Sequence, residues 1–294
     1  MAARTRSASG NDKHNDLLAV ARFSMIACRR HMSSYSHAKS KHTFTQAQLM
    51  TCLVLKAYLN LTYRGIVQVL ELSDQLREAM GLAHVPVHTT LKMFADRAAT
   101  PELLDGIIGQ VLAQVREQSG MPVPEVAVDS TGVECSSASQ HYQMRIGRKR
   151  GRYVKVMIAV ACGSLLAISA SASIGPSNDC ADCWDVLWHA SGRCSPHSGY
   201  LDSGFDGERQ HAFFRDGMGC ASFIPPVVRA KDGGVHSEHR SRCVRLPKSY
   251  GRRWHVESFI SGMKRICGSA VRARGESTMC REALLKVLAY TIHR

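Results

Sequence analysis

The sequence lacks any apolar segment that approaches the ~20 consecutive residues needed to cross a bilayer as a helix. The longest apolar stretch, Val154 to Ser173, is interrupted by Lys155, Gly163 and several serines, and its composition favours two strands instead. The first residues, Met1 to Lys13, are polar and lack the apolar core of a secretory signal peptide. We therefore expect no membrane partner and a cytoplasmic location.

Acidic side chains are scarce relative to basic ones. The chain has 24 Asp and Glu against 38 Lys and Arg, which gives a formal net charge of +14. Such an excess specifies no fold, but it favours a polyanionic partner, because basic side chains that bind nucleic acid release condensed counterions. A basic soluble protein without such a partner is the alternative on charge alone. Hydrophobic residues make up 45% of the 294 residues, which is enough for a substantial core.

The 11 cysteines do not have the even number and regular spacing of a disulfide framework. In a reducing compartment most of them are expected to be small buried hydrophobic residues. One set, Cys180, Cys183, Cys194 and His197, has ligand types suited to structural zinc. The first two fall on a predicted amphipathic helix, which favours ordinary thiols over a zinc site.

Composition and periodicity divide the chain into three parts. Residues 1–43 are rich in Ser, Arg, Lys and His and are predicted to form a basic, loosely ordered arm. Residues 44–119 have apolar residues at helical spacing between tight turns, which predicts an all-helical region. In a basic protein this pattern allows a helix-turn-helix-like region that binds DNA, although a plain helical bundle is the simpler explanation of these residues alone.

From residue 120 to residue 294, strand and helix patterns alternate. Apolar or β-branched runs predict five strands, at residues 124–130, 153–162, 165–171, 199–201 and 221–228. The second and third of them form a hairpin around Gly163. Helical periodicity predicts four helices, at residues 179–188, 207–214, 252–267 and 281–293. The order predicts an α/β fold with a mixed sheet flanked by helices, behind the all-helical part.

Three acidic residues lie where the sheet of an enzyme commonly holds catalytic groups. Asp129 ends a buried apolar strand, Asp202 ends another short strand, and Glu257 lies on a predicted helix. Each alone is a weak indication, because an acid at the end of a strand is more often a turn or cap residue. Together, oxygen ligands from separate elements suit Mg²⁺ or Mn²⁺ better than Zn²⁺. Two such ions, about 3.5–4 Å apart, can clamp both oxygens of a phosphodiester displacement.

The helix around Glu257 carries the most specific pattern. Tyr250, Arg253, Glu257 and Lys264 follow one another with the spacing Tyr-x2-Arg-x3-Glu-x6-Lys. At ~100° per residue they lie within about 60° of one another on one helical face. A solvated face with intrahelical ion pairs explains Glu257 and Arg253, but it gives no reason for Tyr250 and Lys264.

This spacing resembles the motif of DDE transposases from the bacterial insertion sequence four and five groups. Val128 to Gly132 is similar to the motif around their first acid, and Leu201 to Asp206 is similar to the motif around their second. Leu61 to Gly65 and Val87 to Leu91 look like parts of their helical region. The resemblance therefore covers roughly residues 45 to 294.

The resemblance implies a ribonuclease H-like catalytic fold, binding to terminal inverted repeats, and metal-dependent cleavage and transfer of DNA strands. It assigns two Mg²⁺ or Mn²⁺ ions to three catalytic carboxylates: Asp129, Asp202 and Glu257. It assigns contacts with the DNA backbone to three further residues: Tyr250, Arg253 and Lys264. Trp254 is suited to stack on an unpaired or flipped base, although a core position explains it equally well.

The motif of the second acid departs from the family pattern. Ser203 and Phe205 stand where Lys and Tyr are usual, and Asp206 lies nearby as an alternative acid. A basic run precedes the second predicted strand, and its members would follow DNA phosphates or simply form a solvated hairpin. These members are Arg148, Lys149, Arg150 and Arg152.

The expected protein is thus a nucleoid-associated transposase that acts on double-stranded DNA, both at the element ends and at the target. Holding two ends together implies at least a homodimer on DNA. Two other classes stay open, namely a catalytically inactive DNA-binding regulator of the same element and a plain DNA nuclease. The presence of all three acids argues against the inactive regulator.

Overall fold

The computed structural model describes residues 16–135 and 152–294. The helices in these residues are α1 (Asp16–His31), α2 (Gln46–Tyr58), α3 (Tyr63–Leu72), α4 (Asp74–Met80), α5 (His88–Ala98), α6 (Pro101–Ser119), α7 (Asp179–Asp182), α8 (Trp184–Arg193), α9 (Glu208–Ala212), α10 (Glu238–Ser241), α11 (Trp254–Cys267) and α12 (Glu276–His293). The strands are β1 (Glu125–Cys135), β2 (Tyr153–Ala161), β3 (Leu166–Gly175), β4 (Ser198–Tyr200), β5 (Ala221–Phe223) and β6 (Ala270–Val271). Two 3₁₀ segments, Ser203–Phe205 and Lys248–Arg253, also matter for the site. No helix in these two stretches is both long enough and apolar enough to cross a membrane.

The described strands form one mixed sheet in the order β3-β2-β1-β4-β5. β2 is antiparallel to both β1 and β3, whereas β4 runs parallel to β1 and β5 runs parallel to β4. The β4 ladder uses the first residues of β1, and β6 pairs in parallel with its last residues. The predicted α/β fold with a mixed sheet is confirmed, and β1 is its central strand.

The two faces of the sheet belong to different hydrophobic cores. Because side chains alternate along a strand, Ala127 joins a core with α1, α2, α6 and α12, while Val128 joins a second core with α8. By the same alternation Asp129 lies on the first face and Ser130 on the second. Helix α11, which carries Glu257, packs against β1 and contributes to the first core. The sheet therefore brings Asp129 and the α11 helix to the same side.

Residues 16–31 form helix α1, so the prediction of a loosely ordered arm over residues 1–43 is wrong for this segment. Four apolar residues at helical spacing are buried in it: Leu18, Ala21, Met25 and Cys28. The arginines of the helix face solvent. The composition of the whole segment is polar, so it does not reveal this narrow apolar stripe. The stripe packs against α2, α4 and α6. Residues 1–15 lie outside the described ones.

The ends of helices α3 and α4 coincide with residues that favour helix termini. Thr62 and Ser73 cap their first turns by accepting the backbone N–H of Gly65 and Leu76. Gly81, with a φ of +62°, ends α4 in the left-handed conformation that glycine adopts most easily. The described structure of residues 44–119 contains helices and no strand, whereas the DNA-binding role of this part and its boundary near residue 120 stay predictions.

Two elements of the second half differ from their predicted extent. The helix predicted at residues 179–188 is divided at Cys183 into α7 and α8. The strand predicted at residues 221–228 ends after Phe223. The pair Pro225-Pro226 explains this end, because proline has no N–H to donate to a neighbouring strand.

Candidate active site

Asp129 lies within β1 on the face that α11 covers. Its side chain is 18% exposed, and its Oδ2 is 3.2 Å from Nη1 of Arg253. The backbone N–H of Ser130 donates to its Oδ1 over 2.8 Å. Burial raises the pKa of Asp129 to about 6, against the opposing effects of Ser130 N–H and Arg253, and the carboxylates of Asp202 and Glu257 add to the rise. The three acids therefore share one electrostatic environment.

Replacing Asp129 by Asn is expected to stabilise the fold at neutral pH. Because folding raises the pKa of this carboxyl from 3.8 to about 6, the stability that it contributes at low pH is lost as the pH rises through about 6. The neutral amide does not pay this penalty. In urea unfolding we expect the free energy of unfolding of the variant to exceed that of the wild type at pH 7.5, and by much less at pH 4.5. An equal difference at the two pH values would contradict the burial argument.

Arg253 links two of the acids. It immediately precedes α11, and its Nη2 donates to Oε1 of Glu257 while its Nη1 faces Asp129. Glu257 lies in the first turn of α11 and its side chain is 51% exposed. The guanidinium thus reduces the repulsion between a half-buried carboxylate and a more exposed one.

Asp202 follows the end of β4. Its Oδ1 accepts the backbone N–H of Gly204 over 2.5 Å, which fixes the carboxylate at the start of a 3₁₀ turn. The hydroxyl of Tyr250 donates to the carbonyl of Leu201 over 3.0 Å. Burial first, and then the carboxylates of all three acids, raise the pKa of Tyr250. Tyr250 therefore ties the end of β4 to the segment before α11, among the acids.

Lys264 does not join this group. It lies about 10 Å along α11 from Glu257, at ~1.5 Å per residue. Burial lowers the pKa of Lys264, and Glu134 at the end of β1 opposes this effect. The continuous helical face expected from Tyr250 to Lys264 is also interrupted. Tyr250 and Arg253 belong to a 3₁₀ helix, and α11 begins only after them.

The remaining predicted DNA contacts are exposed or lie outside the described residues. Trp254 is 54% exposed and stacks on His255 with ring centroids 4.3 Å apart, so it is not a core residue. Arg152 is exposed and forms an ion pair with Glu276. Three of the predicted contacts, Arg148, Lys149 and Arg150, lie outside the described residues.

Asp206, the alternative second acid, is occupied elsewhere. Its side chain is fully buried, and Arg240 donates to its two oxygens over 2.8 and 2.7 Å. The backbone N–H of Val227 donates to it as well, over 2.7 Å. Burial raises the pKa of Asp206, but these partners outweigh burial and lower it overall. Asp206 ties down the segment after β5, which leaves Asp202 as the candidate acid.

A polar cluster on the opposite face of the sheet was missed by sequence reasoning. Lys155 of β2 is 5% exposed, and its Nζ lies 2.8 Å from Asp179 and 2.8 Å from Asp182. The hydroxyl of Ser130, next to Asp129, also donates to Asp179 over 2.8 Å. A Cβ added to Gly204 would come within 3.0 Å of Asp179. From the opposite face of the sheet, the cluster therefore contacts both the residue next to Asp129 and the 3₁₀ turn after Asp202. Its members are distant from one another in sequence.

The four residues considered for zinc are not brought together. Cys180 and Cys183 lie before α8, whereas Cys194 and His197 follow it, and a helix of this length spans about 15 Å. The thiols of Cys183 and Cys194 are buried and face backbone carbonyl groups. The pairs occupy opposite ends of one helix.

The mixed sheet and the helix packed on it thus place three acids around one arginine. These acids come from β1, from the end of β4 and from α11. The arrangement defines a protein whose site is built from carboxylates. The family model described as Transposase DDE domain matches residues 123–292. This match covers more than half of the chain, and the protein belongs to the DDE transposase family. It confirms the recognition of a DDE transposase and implies a ribonuclease H-like fold with DNA as the substrate. A search of curated proteins gave no match.

The family uses divalent metal ions, and the chemistry of the site fits them. Asp129, Asp202 and Glu257 offer hard oxygen donors of the kind that Mg²⁺ and Mn²⁺ prefer. Within residues 16–135 and 152–294, however, no three Asp, Glu, His or Cys side chains are already placed as a metal cluster. Arg253 stands between two of the acids instead. The donor set is suitable for such ions, and two of its three members are paired with Arg253.

Proposed function

We propose that the protein is the transposase of a bacterial insertion sequence of the four and five groups. In this proposal it binds the terminal inverted repeats and carries out metal-dependent cleavage and transfer of DNA strands. The observation that carries the proposal is the shared environment of Asp129, Asp202 and Glu257 around Arg253, inside the part of the chain that matches the family. The net charge of +14 supports DNA as the partner.

The three acids have distinct positions in this proposal. Asp129 and Asp202 sit in and just after strands of the sheet, so their carboxylates are held by a rigid frame. Glu257 comes from a packed helix and completes the set. Two Mg²⁺ or Mn²⁺ ions held by these acids would activate the attacking oxygen and stabilise the leaving one.

Arg253 is proposed to exchange partners when DNA binds. A planar guanidinium pairs with carboxylate and with phosphate in the same two-bond geometry. If the guanidinium moved from Asp129 and Glu257 to a phosphate of the DNA backbone, the two acids would be released. The same movement would position the DNA at the site. Tyr250 would keep the end of β4 in position through its bond to the Leu201 carbonyl.

The proposed DNA contacts extend beyond the acids. Lys264 lies about 10 Å along its helix from Glu257, so it would bind a phosphate further along the duplex. Arg152 would exchange its exposed ion pair with Glu276 for a phosphate. Three further residues of the basic run, which lie outside the described residues, are also proposed to bind DNA phosphates: Arg148, Lys149 and Arg150.

Trp254→Ala is expected to weaken DNA binding about tenfold without a loss of stability, because stacking on one base contributes ~1–3 kcal/mol and the ring is already 54% exposed. Fluorescence anisotropy with labelled DNA and urea unfolding measure the two effects. Trp188→Ala is the matched control, since Trp188 is 70% exposed on a different helix. Lower stability with unchanged affinity would assign Trp254 to packing.

The domain roles follow from the same proposal. The strand order, with one antiparallel and one parallel half, supports residues 120–294 as a ribonuclease H-like catalytic domain. Helices α2 to α6, within residues 44–119, would bind the element ends. Because two ends must be held together, we propose at least a homodimer on DNA.

A supercoiled plasmid that carries the gene with its flanking DNA tests the function. Incubation with the protein and Mg²⁺ should give cleavage at the element ends and strand transfer into a second plasmid. Binding without cleavage would instead indicate a DNA-binding regulator. Cleavage without joining would indicate a nuclease, and either result would overturn the proposal.

A further inference from the structure

A cavity of about 300 Å³ lies among α2, α3, α5, the start of α12 and the segment after β6. Its wall includes Leu61, Thr62 and Tyr63, which belong to a family-like motif that the acid site does not use. None of the three acids of the candidate active site lines it. Five cationic side chains and two carboxylates surround the space, so the cavity has an excess of positive charge.

Lys56 is the most unusual of these cations. It lies on α2, is 8% exposed, and faces the cavity. In the part of the chain that the structure describes, its Nζ has no hydrogen bond or ion pair. It lies 4.8 Å from the centre of the Tyr63 ring and is attracted electrostatically by Glu282. Burying an ammonium group without an anion costs several kcal/mol. A buried cation that has no direct ion pair and faces a cavity therefore favours binding of an anion there.

The carboxylates beside the cavity are already engaged. Asp96 accepts from Lys92 over 2.7 Å and from Arg281 over 2.6 Å. Glu282 accepts the backbone N–H groups of Arg272 and Ala273 over 3.1 and 2.9 Å. Both acids therefore have partners other than Lys56.

Two further cations stand at the cavity with free guanidinium groups. Arg272 and Arg274 are exposed, and within the described stretches neither side chain has a hydrogen bond or ion pair. The hydroxyl of Tyr63 is also without a hydrogen-bond partner in these stretches. One buried ammonium, two accessible guanidinium groups and a hydroxyl donor suit an anion with several oxygens.

We propose that this cavity binds a phosphate group, with Lys56 inside and Arg272 and Arg274 at its mouth. A free phosphate compound and a phosphate of the DNA backbone present the same chemistry to these donors. The DNA arm of the proposal rests on the proposed function, because it needs a duplex on the α2 to α5 helices. The arm with a free phosphate compound does not.

The first experiment measures pyrophosphate binding to the full chain by calorimetry at constant ionic strength. Lys56→Met is expected to weaken binding at least tenfold. The same variant should raise the melting temperature of the ligand-free protein, because methionine removes the uncompensated buried charge and keeps the length of the side chain. A stable variant that loses binding cannot be explained by misfolding.

A second variant, Arg272→Gln/Arg274→Gln, tests the mouth of the cavity. Its matched control is Arg22→Gln/Arg29→Gln, which removes the same charge from exposed arginines of α1 that also lack ion pairs. The mouth variant should weaken pyrophosphate binding at least tenfold, and the control should not. Equal binding in all variants, or an equal loss in the mouth variant and the control, overturns the proposal.

The third measurement separates the two sources of phosphate. Affinity for duplex DNA is measured against salt concentration with the same variants. A lower affinity and a salt slope reduced by about two in the mouth variant, but not in the control, assign the site to the DNA backbone. Unchanged DNA binding with lost pyrophosphate binding assigns it to a free phosphate compound. If the wild type binds no DNA, the proposed function fails while the pyrophosphate result still decides on the cavity.

Discussion

Asp129→Asn and Glu257→Gln are each expected to lose at least about a thousandfold in the rate of DNA cleavage, or about 4 kcal/mol of transition-state stabilisation. The amides keep the size of the side chains but remove the negative charge that a divalent ion requires. Asp129 takes part in the pairing with Arg253 from within β1, and Glu257 does so from α11. Each variant therefore removes one negatively charged oxygen donor from the site, from β1 in Asp129→Asn and from α11 in Glu257→Gln.

The control for this prediction is Asp185→Asn. Asp185 is an exposed acid on α8, away from Arg253, and its replacement should leave the cleavage rate unchanged. Urea unfolding shows whether the two inactive variants remain folded, and Asp129→Asn should even be more stable than the wild type at pH 7.5. An Asp129→Asn or Glu257→Gln protein that cleaves DNA at the wild-type rate would remove that residue from the active site.

Asp206→Ala is expected to lower the free energy of unfolding by about 3–5 kcal/mol, because it leaves a buried guanidinium without its anion. Asp206 is fully buried, and it accepts two hydrogen bonds from Arg240 and one from the backbone of Val227. All three contacts disappear in the variant. Urea unfolding monitored by circular dichroism measures the change.

Two comparisons make this second prediction specific. Asp232→Ala removes a carboxylate whose ion pair with His236 is exposed, so it should change the stability far less. The double variant Asp206→Leu/Arg240→Met replaces both buried charges by apolar groups and should recover much of the lost stability. A small effect of Asp206→Ala alone would mean that Arg240 finds another anion, and it would reopen the choice between Asp202 and Asp206.

The helices of the first half show how far local signals reach. The bounds of α3 and α4 are predictable because Thr62, Ser73 and Gly81 mark the ends by capping and by a left-handed turn. α1 was missed although its apolar stripe has the same periodicity, since the surrounding residues are strongly polar. Proline likewise ended β5 early, against a favourable apolar run. Local rules compete, and the strongest one at each position decides the element.

The candidate site was only partly predictable. The spacing from Tyr250 to Glu257 pointed to the right segment, and the structure places Arg253 between Asp129 and Glu257. The partner of Asp179 could not be predicted, because Lys155 lies on another strand and no short pattern connects them. Lys264 was predicted on the same face, yet the 3₁₀ helix before α11 changes the direction of the earlier residues.

The sequence by itself determined the class of fold and the family, and it proposed the three candidate acids, because periodicity, capping and motif spacing are short-range properties. Only the tertiary structure decided which carboxylates meet. Asp202 and Asp206 are four residues apart and chemically equivalent, but one faces Arg253 and its acids while the other is buried against Arg240. The same holds for Lys56, which became a candidate phosphate ligand only because folding buried it beside a cavity without giving it a direct ion pair in the described residues. Burial and pairing depend on elements far apart in the chain, and these energies have no local signal in the sequence.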